Sequence, residues 1–576
     1  MHRLSRGQLQ LLIGLVAALF FLPFLGYFHL FDWDEINFAE CAREMLATGN
    51  YTEVQINFQP FWEKPPFFIW LQALAMNFFG INEFAARLPN AICGIATLIV
   101  LFRIGSKIFD HRFGVLWALS FGGSILPFIY FKSGIIDPTF NLFIFLGVFR
   151  LVLLTNNPNA KNTYKNAILA GLFFGLATLT KGPVAILIPG ICILVFLLIH
   201  RNFQSFSLKS ISLFLLSYFI IAGSWFFYLI LNGKISLVQD FIEYQIRLFS
   251  TEDSGHGGFI GYHFVVLLLG CFPASLYALI AWQKKHTLTP FQQFFRLWMK
   301  ILFWTVLLLF SLVKTKIIHY SSLCYFPLTF FAANSIHSLL NNEIKWKKWG
   351  SVLGYVLLCI PSLIFIGFPI LEIFKEKIIS ANWIKDAFIL DCFSARTEFH
   401  FSEFIPGLLL LVVGGNFFYK ISKGKFIFIP HLFFTVAASL FLALILIVPK
   451  IEKYVQGAEI RFFESLKNQK CYVETVSYKS FAHLFYAEKK PELNTPELLN
   501  HVKSKIESDK KTNQTIFSFS LYATNYMRGE PIRYPAFFSV KSDNMKSFEQ
   551  ENPHIKKLYQ EGGFIFYYRP PSLQNK

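Results

Sequence analysis

The chain has 576 residues, of which 54% are hydrophobic and 18% aromatic, while only 15% are charged. Soluble proteins have about 25% charged residues, so this composition excludes an ordinary soluble protein and indicates a membrane protein. The net charge of +18 does not indicate nucleic-acid binding, because most Lys and Arg residues lie in short loops between apolar segments. The eight cysteines include no CxxC pair, so neither a zinc ribbon nor a disulfide framework is supported.

An apolar segment follows the N-terminal sequence MHRLSRGQLQ, which has no convincing small-residue cleavage site and so predicts a signal anchor that stays attached. It is the first of thirteen apolar segments of about the length needed to cross a hydrocarbon core of roughly 30 Å. We therefore predict a polytopic α-helical membrane protein. The predicted spans are 10–28, 89–107, 112–131, 138–155, 164–180, 183–200, 207–231, 262–282, 296–313, 318–339, 349–371, 403–420 and 425–448.

The connections between these spans alternate in charge. Every second connection is rich in Lys and Arg, as is the N-terminus with Arg3 and Arg6, so the positive-inside rule predicts that these parts are cytoplasmic. An odd number of spans then places the C-terminal tail on the outer side. The long connections 29–88 and 232–261, and a charged one at 372–402, lie on that side as well.

The first long outer connection contains two amphipathic stretches, INFAECAREMLATG and FFIWLQALAMNFFG. Both are too short or too mixed to span a membrane, and they predict juxtamembrane helices that lie at the interface. The second stretch is alternatively an extra span, but that would reverse the sidedness of every later loop.

The end of the chain, residues 449–576, is polar, in contrast to residues 1–448, which contain all the predicted spans. Alternating segments such as CYVETVSY and FIFYY lie between helix-like segments such as TPELLNHVKSKI. This pattern predicts a small soluble α/β domain on the outer side. The segment has no glycine-rich phosphate loop, metal-spaced cluster or nucleophile motif, so we predict no chemistry there.

Charged residues mark the first outer connection as a candidate site. Asp34 and Glu35 directly follow the first span in HLFDWDEINFAECARE, where one carboxylate can face a cavity at the membrane surface. A solvated helix cap is the alternative for this pair. Further along, Glu63 and Lys64 precede two prolines that restrict the backbone. A charged pair held between aromatic residues and a double proline is more typical of a site than of a linker.

The positive-inside rule predicts few Lys and Arg residues in short outer loops, so the lysines that do occur there are candidates for function. Lys132 and Asp137 share the sequence YFKSGIIDPTF, Lys181 lies in TLTKGPVA, and Lys314 and Lys316 lie in SLVKTKIIHYSS. Each lies at a predicted helix end. A single such lysine commonly extends to the interface, but several beside carboxylates on one side of the membrane favour a functional site. For Asp137, which precedes a proline, helix capping remains the alternative.

These motifs together resemble one family. The sequences DWDEINFAECAREMLATGNY, FWEKPPFFIWLQAL, INEFAARLPNAICG, IIDPTF, TKGPVA and FSLVKTKIIHYSSLCYFPL are similar to those of integral-membrane glycosyltransferases that use polyprenyl-phosphate sugars. The subgroup with the lipid A aminoarabinose transferase is the most similar, and protein O-mannosyltransferases are more distant. The resemblance covers roughly residues 10–340. It implies a transmembrane helix bundle with juxtamembrane helices and an outer soluble domain.

The resemblance also implies residue roles. Transfer from a polyprenyl-phosphate sugar releases a lipid phosphate, which requires cations, and uses a carboxylate to orient or deprotonate the acceptor. In this family the acidic residue of the first outer loop is the usual catalytic candidate, and Asp34 matches it by position. Glu35 and Asp137 are the other catalytic candidates. The substrate-binding candidates are Glu63, Lys64, Lys181, Arg247, Lys316 and Tyr320.

One departure from the family concerns a metal. Family members often have Glu-His before the Arg-Phe of the second long outer loop, whereas the sequence EYQIRLF places Tyr244 at the position of that histidine. Glu63 and His256 are weak candidates for binding a divalent ion, because two ligands in different loops make no recognisable metal motif.

The expected partners are a polyprenyl-phosphate sugar donor, membrane lipids, and an acceptor that is lipid A, another glycan or a protein. The expected location is the outer face of the bacterial cytoplasmic membrane, and nucleic acid is not expected to bind. A lipid-linked saccharide transporter or flippase is the alternative. It should have ionisable groups near the middle of the membrane and internal repeats, whereas the charges here collect at one surface. An inactive scaffold is the third possibility.

Overall fold

A computed structural model describes residues 4–158, 160–200, 206–250, 257–281, 288–395, 397–509 and 516–572. Helices up to the last apolar segment are α1 (Arg6–Phe21), α2 (Asp34–Thr48), α3 (Phe67–Phe79), α4 (Glu83–Ile108), α5 (His111–Gly122), α6 (Ile125–Tyr130), α7 (Asp137–Asn156), α8 (Thr163–Lys181), α9 (Val184–His200), α10 (Leu208–Leu231), α11 (Ile235–Ser250), α12 (Tyr262–Gly270), α13 (Ala274–Ile280), α14 (Pro290–Leu312), α15 (Tyr325–Leu340), α16 (Lys348–Ile373), α17 (Lys375–Ser380), α18 (Ala387–Phe393), α19 (Ile405–Leu408), α20 (Gly415–Ser422) and α21 (Ile429–Leu446).

The remaining regular elements belong mainly to the C-terminal part. Its helices are α22 (Val448–Glu452), α23 (Ala458–Ser465), α24 (Ala482–Tyr486), α25 (Pro496–Ser508), α26 (Ile516–Gly529) and α27 (Met545–Glu551). The strands of the whole chain are β1 (Gln55–Ile56), β2 (Gln59–Pro60), β3 (Tyr472–Val476), β4 (Ala536–Lys541), β5 (Lys556–Glu561) and β6 (Phe564–Arg569). Short 3-10 or π segments extend several helices, at Ile318–Cys324, Phe401–Phe404, Leu409–Gly414, Phe426–Phe428 and Lys453–Gly457.

Among the described residues, eight helices are long and apolar enough to cross a membrane, or nine if the bent pair α12 and α13 forms one broken span. The two helices of that pair meet at 110°. Each of these helices coincides with a predicted span. The eight are Glu83–Ile108, Asp137–Asn156, Leu208–Leu231, Pro290–Leu312, Ile318–Leu340, Lys348–Ile373, Phe401–Ser422 and Phe426–Ser465.

The other four predicted spans coincide with helices that are not both long and apolar enough to be counted as membrane-crossing. They are the shorter α1 and α9, the helix α8, and the pair α5 and α6, which is interrupted near Gly123. The polytopic helical architecture predicted from the sequence is therefore present. The total of thirteen crossings stays a prediction.

The first outer connection folds as two helices joined by a small hairpin. Helix α2 ends at Gly49, whose φ of 69° is the left-handed conformation that favours glycine, and β1 pairs with β2 before α3 begins. The amphipathic pattern predicts that one face of α2 is exposed, but residues 35–45 are all buried. The reason is that α2 packs against both α3 and the C-terminal helix α24, so its polar face is covered by protein.

The C-terminal part contains a four-stranded mixed sheet in the order β3-β4-β6-β5, with β3 and β4 parallel and the other pairs antiparallel. One cluster of buried side chains, including Leu498 and Phe538, lies between the sheet and α25. A second cluster joins Ala42 and Met45 of α2 to Phe463 and Phe485. The C-terminal part therefore shares a hydrophobic core with the first outer connection, and this contact positions the site.

Candidate active site

A cavity of about 350 Å³ lies where several helix ends meet. Asp34 is the first residue of α2, Asp137 the first of α7, and Lys181 the last of α8. Anionic groups are stabilised at helix N-termini and cations at C-termini, so each charge is favourable where it lies. Neither aspartate caps its helix through a side-chain hydrogen bond, because Trp33 and Ile136 occupy the N-cap positions. The capping alternative for both residues is thus not realised.

Asp137 forms a buried ion pair. Its Oδ1 lies 2.6 Å from Nζ of Lys181, and its side chain is 3% exposed. Lys181 also lies 5.2 Å from the centre of the Tyr320 ring, a cation–π distance. The second carboxylate oxygen of Asp137 is buried, accepts no hydrogen bond within the described part of the chain, and lies 3.8 Å from Nε2 of His319. Lys181 therefore neutralises much of the charge of Asp137.

Asp34 is the more accessible carboxylate. Its side chain is 33% exposed, and its Oδ2 lies 3.6 Å from Nε2 of His319. His319 therefore lies between the two aspartates, close enough to form a hydrogen bond to either after a small adjustment. An accessible carboxylate beside an imidazole is suited to accepting a proton from a bound hydroxyl group.

Glu35 points away from the cavity, although it is adjacent to Asp34 in sequence. Its carboxylate accepts hydrogen bonds from Nε and Nη2 of Arg87 at 3.0 and 2.9 Å, and from the backbone N–H groups of Phe31 and Gly134. Burial alone would raise the pKa of Glu35, but Arg87 and these N–H groups hold the pKa below its usual value. Arg87 also donates to the carbonyl groups of Leu25, Phe28 and His29. This buried pair fixes the start of α2 and so orients Asp34.

Glu63 and Lys64 also line the cavity, next to α11. The hydroxyl group of Tyr244 donates to Oε2 of Glu63 at 3.0 Å, and Lys64 Nζ lies 5.3 Å from the centre of the Tyr244 ring. Tyr244, which replaces the family histidine, therefore ties α11 to the loop before α3. Arg247 also lies 5.3 Å from that ring, but it is exposed and does not line the cavity.

Lys316 is not brought to the cavity either. Its Nζ donates to the carbonyl groups of Phe310, Ser311 and Val313 at the end of α14, at 3.2, 2.7 and 2.5 Å. A lysine near a helix C-terminus commonly satisfies the last carbonyl groups in this way. Its neighbours Thr315 and Ile317 line the cavity instead.

The cavity contains polar residues that are not among the predicted site residues. His319 lies in the outer motif KTKIIHYSS, so its position beside other outer charges was a usable signal. Lys479 follows β3 and also lines the cavity. No signal in the sequence connects Lys479 to the first outer loop, because only tertiary packing brings the two together.

A metal site is not formed by the described residues, which contain no group of three or more His, Cys, Asp or Glu side chains placed to hold an ion. His256 lies outside the described residues. The proposal that Glu63 and His256 bind a divalent ion stays a prediction.

Comparison with known proteins supports the resemblance. A family model described as "Dolichyl-phosphate-mannose-protein mannosyltransferase" matches residues 63–226. The chain is 26% identical to an undecaprenyl phosphate-alpha-4-amino-4-deoxy-L-arabinose arabinosyl transferase from Wigglesworthia glossinidia brevipalpis, over 62% of this chain and 64% of the relative. The same enzyme from Shewanella sediminis is also 26% identical, over 61% and 64%. The match thus spans slightly less than two thirds of each relative.

A solved structure extends the comparison to nearly the whole chain. ArnT from Cupriavidus metallidurans bound to undecaprenyl phosphate superposes with a TM-score of 0.74 over 97% of both chains, at 17% identity. The chain has the fold of the membrane glycosyltransferases of the GT-C type. The resemblance to polyprenyl-phosphate-sugar-dependent enzymes predicted from its motifs is confirmed.

Proposed function

We propose that this chain is an inverting glycosyltransferase that moves a sugar from a polyprenyl-phosphate carrier to lipid A, another glycan or a protein. The observation that carries this proposal is the cavity itself. It combines an accessible aspartate, Asp34, with the cations Lys64 and Lys181, and part of its wall is apolar. The names of the relatives support an undecaprenyl-phosphate-linked sugar as the donor.

The residues that line the cavity have different roles in this reaction. The acceptor oxygen attacks the anomeric carbon, the bond from that carbon to the phosphate oxygen breaks, and the lipid phosphate departs. Asp34 either accepts the proton of the acceptor hydroxyl group or orients the acceptor. Asp137 is less suited to this role, because it is already paired with Lys181. His319 lies beside Asp34 and supports its orientation.

The departing phosphate gains a negative charge that the cations of the cavity stabilise. Lys64 and Lys181 line the cavity as point charges, and Tyr320, which also lines it, provides a further polar contact. The prenyl chain of the donor fits the apolar wall formed by Val184, Ile188, Phe310, Val313 and Leu323. Lys316 could contact the phosphate only if its ammonium group gave up its hydrogen bonds to three carbonyl groups. Arg247 could contact the phosphate only if its exposed side chain turned from α11 into the cavity.

The transporter alternative has less support. The charged groups lie at helix ends on one side of the bundle, whereas transporters place ionisable groups at broken helices near the bilayer midplane.

The cavity also bears on the proposed sidedness, when it is combined with the basic connections that predict the cytoplasmic side. Glu63 of the first long connection and Lys479 of the C-terminal part line one cavity, so both must lie on the same side of the membrane. This supports an outer, periplasmic location for residues 449–576 and a cytoplasmic N-terminus in the inner membrane. Helical structure continues past the boundary at 448 to Ser465, with a turn at Ile447 between α21 and α22, so a series of consecutive helices joins the last span to the proposed outer domain.

We therefore expect a reporter fused after Lys576 to be active only when it is an enzyme that functions outside the cytoplasm, such as alkaline phosphatase. A matching fusion in the basic connection after Lys347 should be inactive with the same reporter. Activity of the C-terminal fusion only with a cytoplasmic reporter would contradict the proposed sidedness.

Lys64→Ala should weaken use of the lipid donor. A charge-assisted contact to the phosphate contributes roughly 1.5–3 kcal/mol, so transfer should fall about ten- to a hundredfold, mainly through weaker donor binding. Lys234→Ala is the matched control, because Lys234 precedes α11 and does not line the cavity. Normal transfer by a well-folded Lys64→Ala protein would show that Lys64 only extends to the interface.

A further inference from the structure

A second cavity, of about 380 Å³, lies between α1, α5 and α21 and shares no lining residue with the candidate active site. Its wall is almost entirely apolar and includes Ile13, Ala17 and Phe20 of α1 and Phe434 and Ala437 of α21. The volume falls within the range of about 300–1,000 Å³ typical of ligand pockets. Apolar cavities do not bind ordered water, so the apolar part of this cavity favours an apolar occupant.

The cavity is elongated along α1. Its lining begins at Leu9, near the first turn of that helix, and continues to Phe21, the last residue. The twelve helical steps from Leu9 to Phe21 correspond to roughly 18 Å at about 1.5 Å per step. The cavity is therefore a groove that extends along most of α1, and its length suits a lipid chain.

One end of this groove is basic. Among the described residues that line it, Arg112 is the only charged one, and its Nη1 donates to Oδ1 of Asn341 at 3.2 Å. Arg6 and Arg103 meet beside the same end of α1, since Nη2 of Arg6 donates to the carbonyl group of Arg103 and Nε of Arg103 donates to Gln10. Lys425, two residues before the lining residue Ile427, adds a further cation. Two carboxylates lie near this end: Asp110 is 3.1 Å from Nε2 of His337, and Glu343 accepts from Nδ2 of Asn341 at 3.4 Å.

We infer that this groove binds an acyl chain of an anionic phospholipid, with the lipid phosphate at Arg112. Basic pockets between transmembrane helices on the cytoplasmic side attract anionic headgroups, and the predicted topology places this end on that side. The polyprenyl donor is a less suitable occupant, because its phosphate must reach Asp34 at the opposite membrane surface. The bound chain fills the space between α1, α5 and α21 and so stabilises their packing.

The test uses the full-length protein, purified in detergent and stripped of lipid. Native mass spectrometry would measure binding of phosphatidylglycerol, phosphatidylethanolamine and undecaprenyl phosphate to the protein and four variants. Arg112→Gln should weaken phosphatidylglycerol binding about fivefold, the factor for one surface cation. Leu12→Trp places a large side chain in the groove and should also weaken binding, because Leu12 lines it.

Two matched controls should bind as the unmodified protein does. Leu11→Trp changes a residue on the same helix that is 64% exposed and does not line the groove, and Lys347→Gln removes a cation from another basic connection. The inference is overturned if no phospholipid binds, if phosphatidylethanolamine binds equally well regardless of Arg112, or if undecaprenyl phosphate displaces phosphatidylglycerol from the groove. None of the four positions lies in the proposed transfer site, so this result is independent of that proposal.

Discussion

Asp34→Asn should reduce sugar transfer about 10²- to 10⁴-fold, the usual contribution of a general base, while leaving donor binding nearly normal. Asparagine keeps the shape of aspartate and its ability to accept a hydrogen bond but removes the negative charge and the basicity. The cations proposed to bind the phosphate, Lys64 and Lys181, are unchanged by this substitution. Transfer and donor binding would be measured separately on purified protein in detergent.

Controls separate this role from a structural one. Asp386→Asn replaces an aspartate that caps α18 and lies outside the cavity, so it should leave transfer unchanged. Full transfer activity of Asp34→Asn would shift the catalytic role to Asp137, which shares the cavity and the contact with His319. Equal loss of donor binding and transfer would indicate that Asp34 binds the sugar rather than the acceptor.

Glu35→Ala should destabilise the protein by about 3–5 kcal/mol, because it leaves Arg87 as an unpaired buried charge. Replacing both residues in Glu35→Ala/Arg87→Met should cost less than the sum of the single substitutions, since no charge is then left alone. The measurement is the thermal midpoint of each variant, with Glu376→Ala as an exposed control. A fully stable Glu35→Ala protein that has lost transfer would contradict the structural role and restore Glu35 as a catalytic candidate.

The contribution of the Glu35–Arg87 pair to the stability of the protein should decrease at low pH. The pKa of Glu35 is lower in the folded protein than in the unfolded chain, so its stabilising effect is present above the unfolded pKa of about 4.5. That stabilisation is lost as the pH falls through the folded pKa. The difference in stability between Glu35→Ala and the unmodified protein should therefore narrow in acid.

The fold could be predicted wherever hydrophobicity alone decides it. The long helices coincide with the predicted spans because their apolar length is the signal. The interruption near Gly123 coincides with the sequence Gly122-Gly123-Ser124, and the bend between α12 and α13 coincides with Pro273, but the apolar runs continue past these residues and therefore predict single spans. The burial of α2 could not be predicted, since its polar face is covered by α24, more than 400 residues later in the chain.

The candidate site was predictable in part, for a geometric reason. Sequence position identifies residues at helix ends, and Asp34, Lys64, Asp137 and Lys181 do meet in one cavity. It does not identify the direction of a side chain, because neighbouring residues on a helix point about 100° apart. Glu35 therefore turns to Arg87 while Asp34 faces the cavity.

The most direct test of sugar transfer uses the lipids of cells that lack this protein, which should contain the unused donor and the unmodified acceptor. The purified protein would be incubated with this lipid extract in detergent, and the products measured by mass spectrometry. We predict that the polyprenyl-phosphate sugar disappears, that free polyprenyl phosphate forms, and that an acceptor gains the mass of one sugar, with none of these changes for Asp34→Asn. An unchanged donor after incubation with the folded protein would contradict the account, because a transporter converts nothing in detergent.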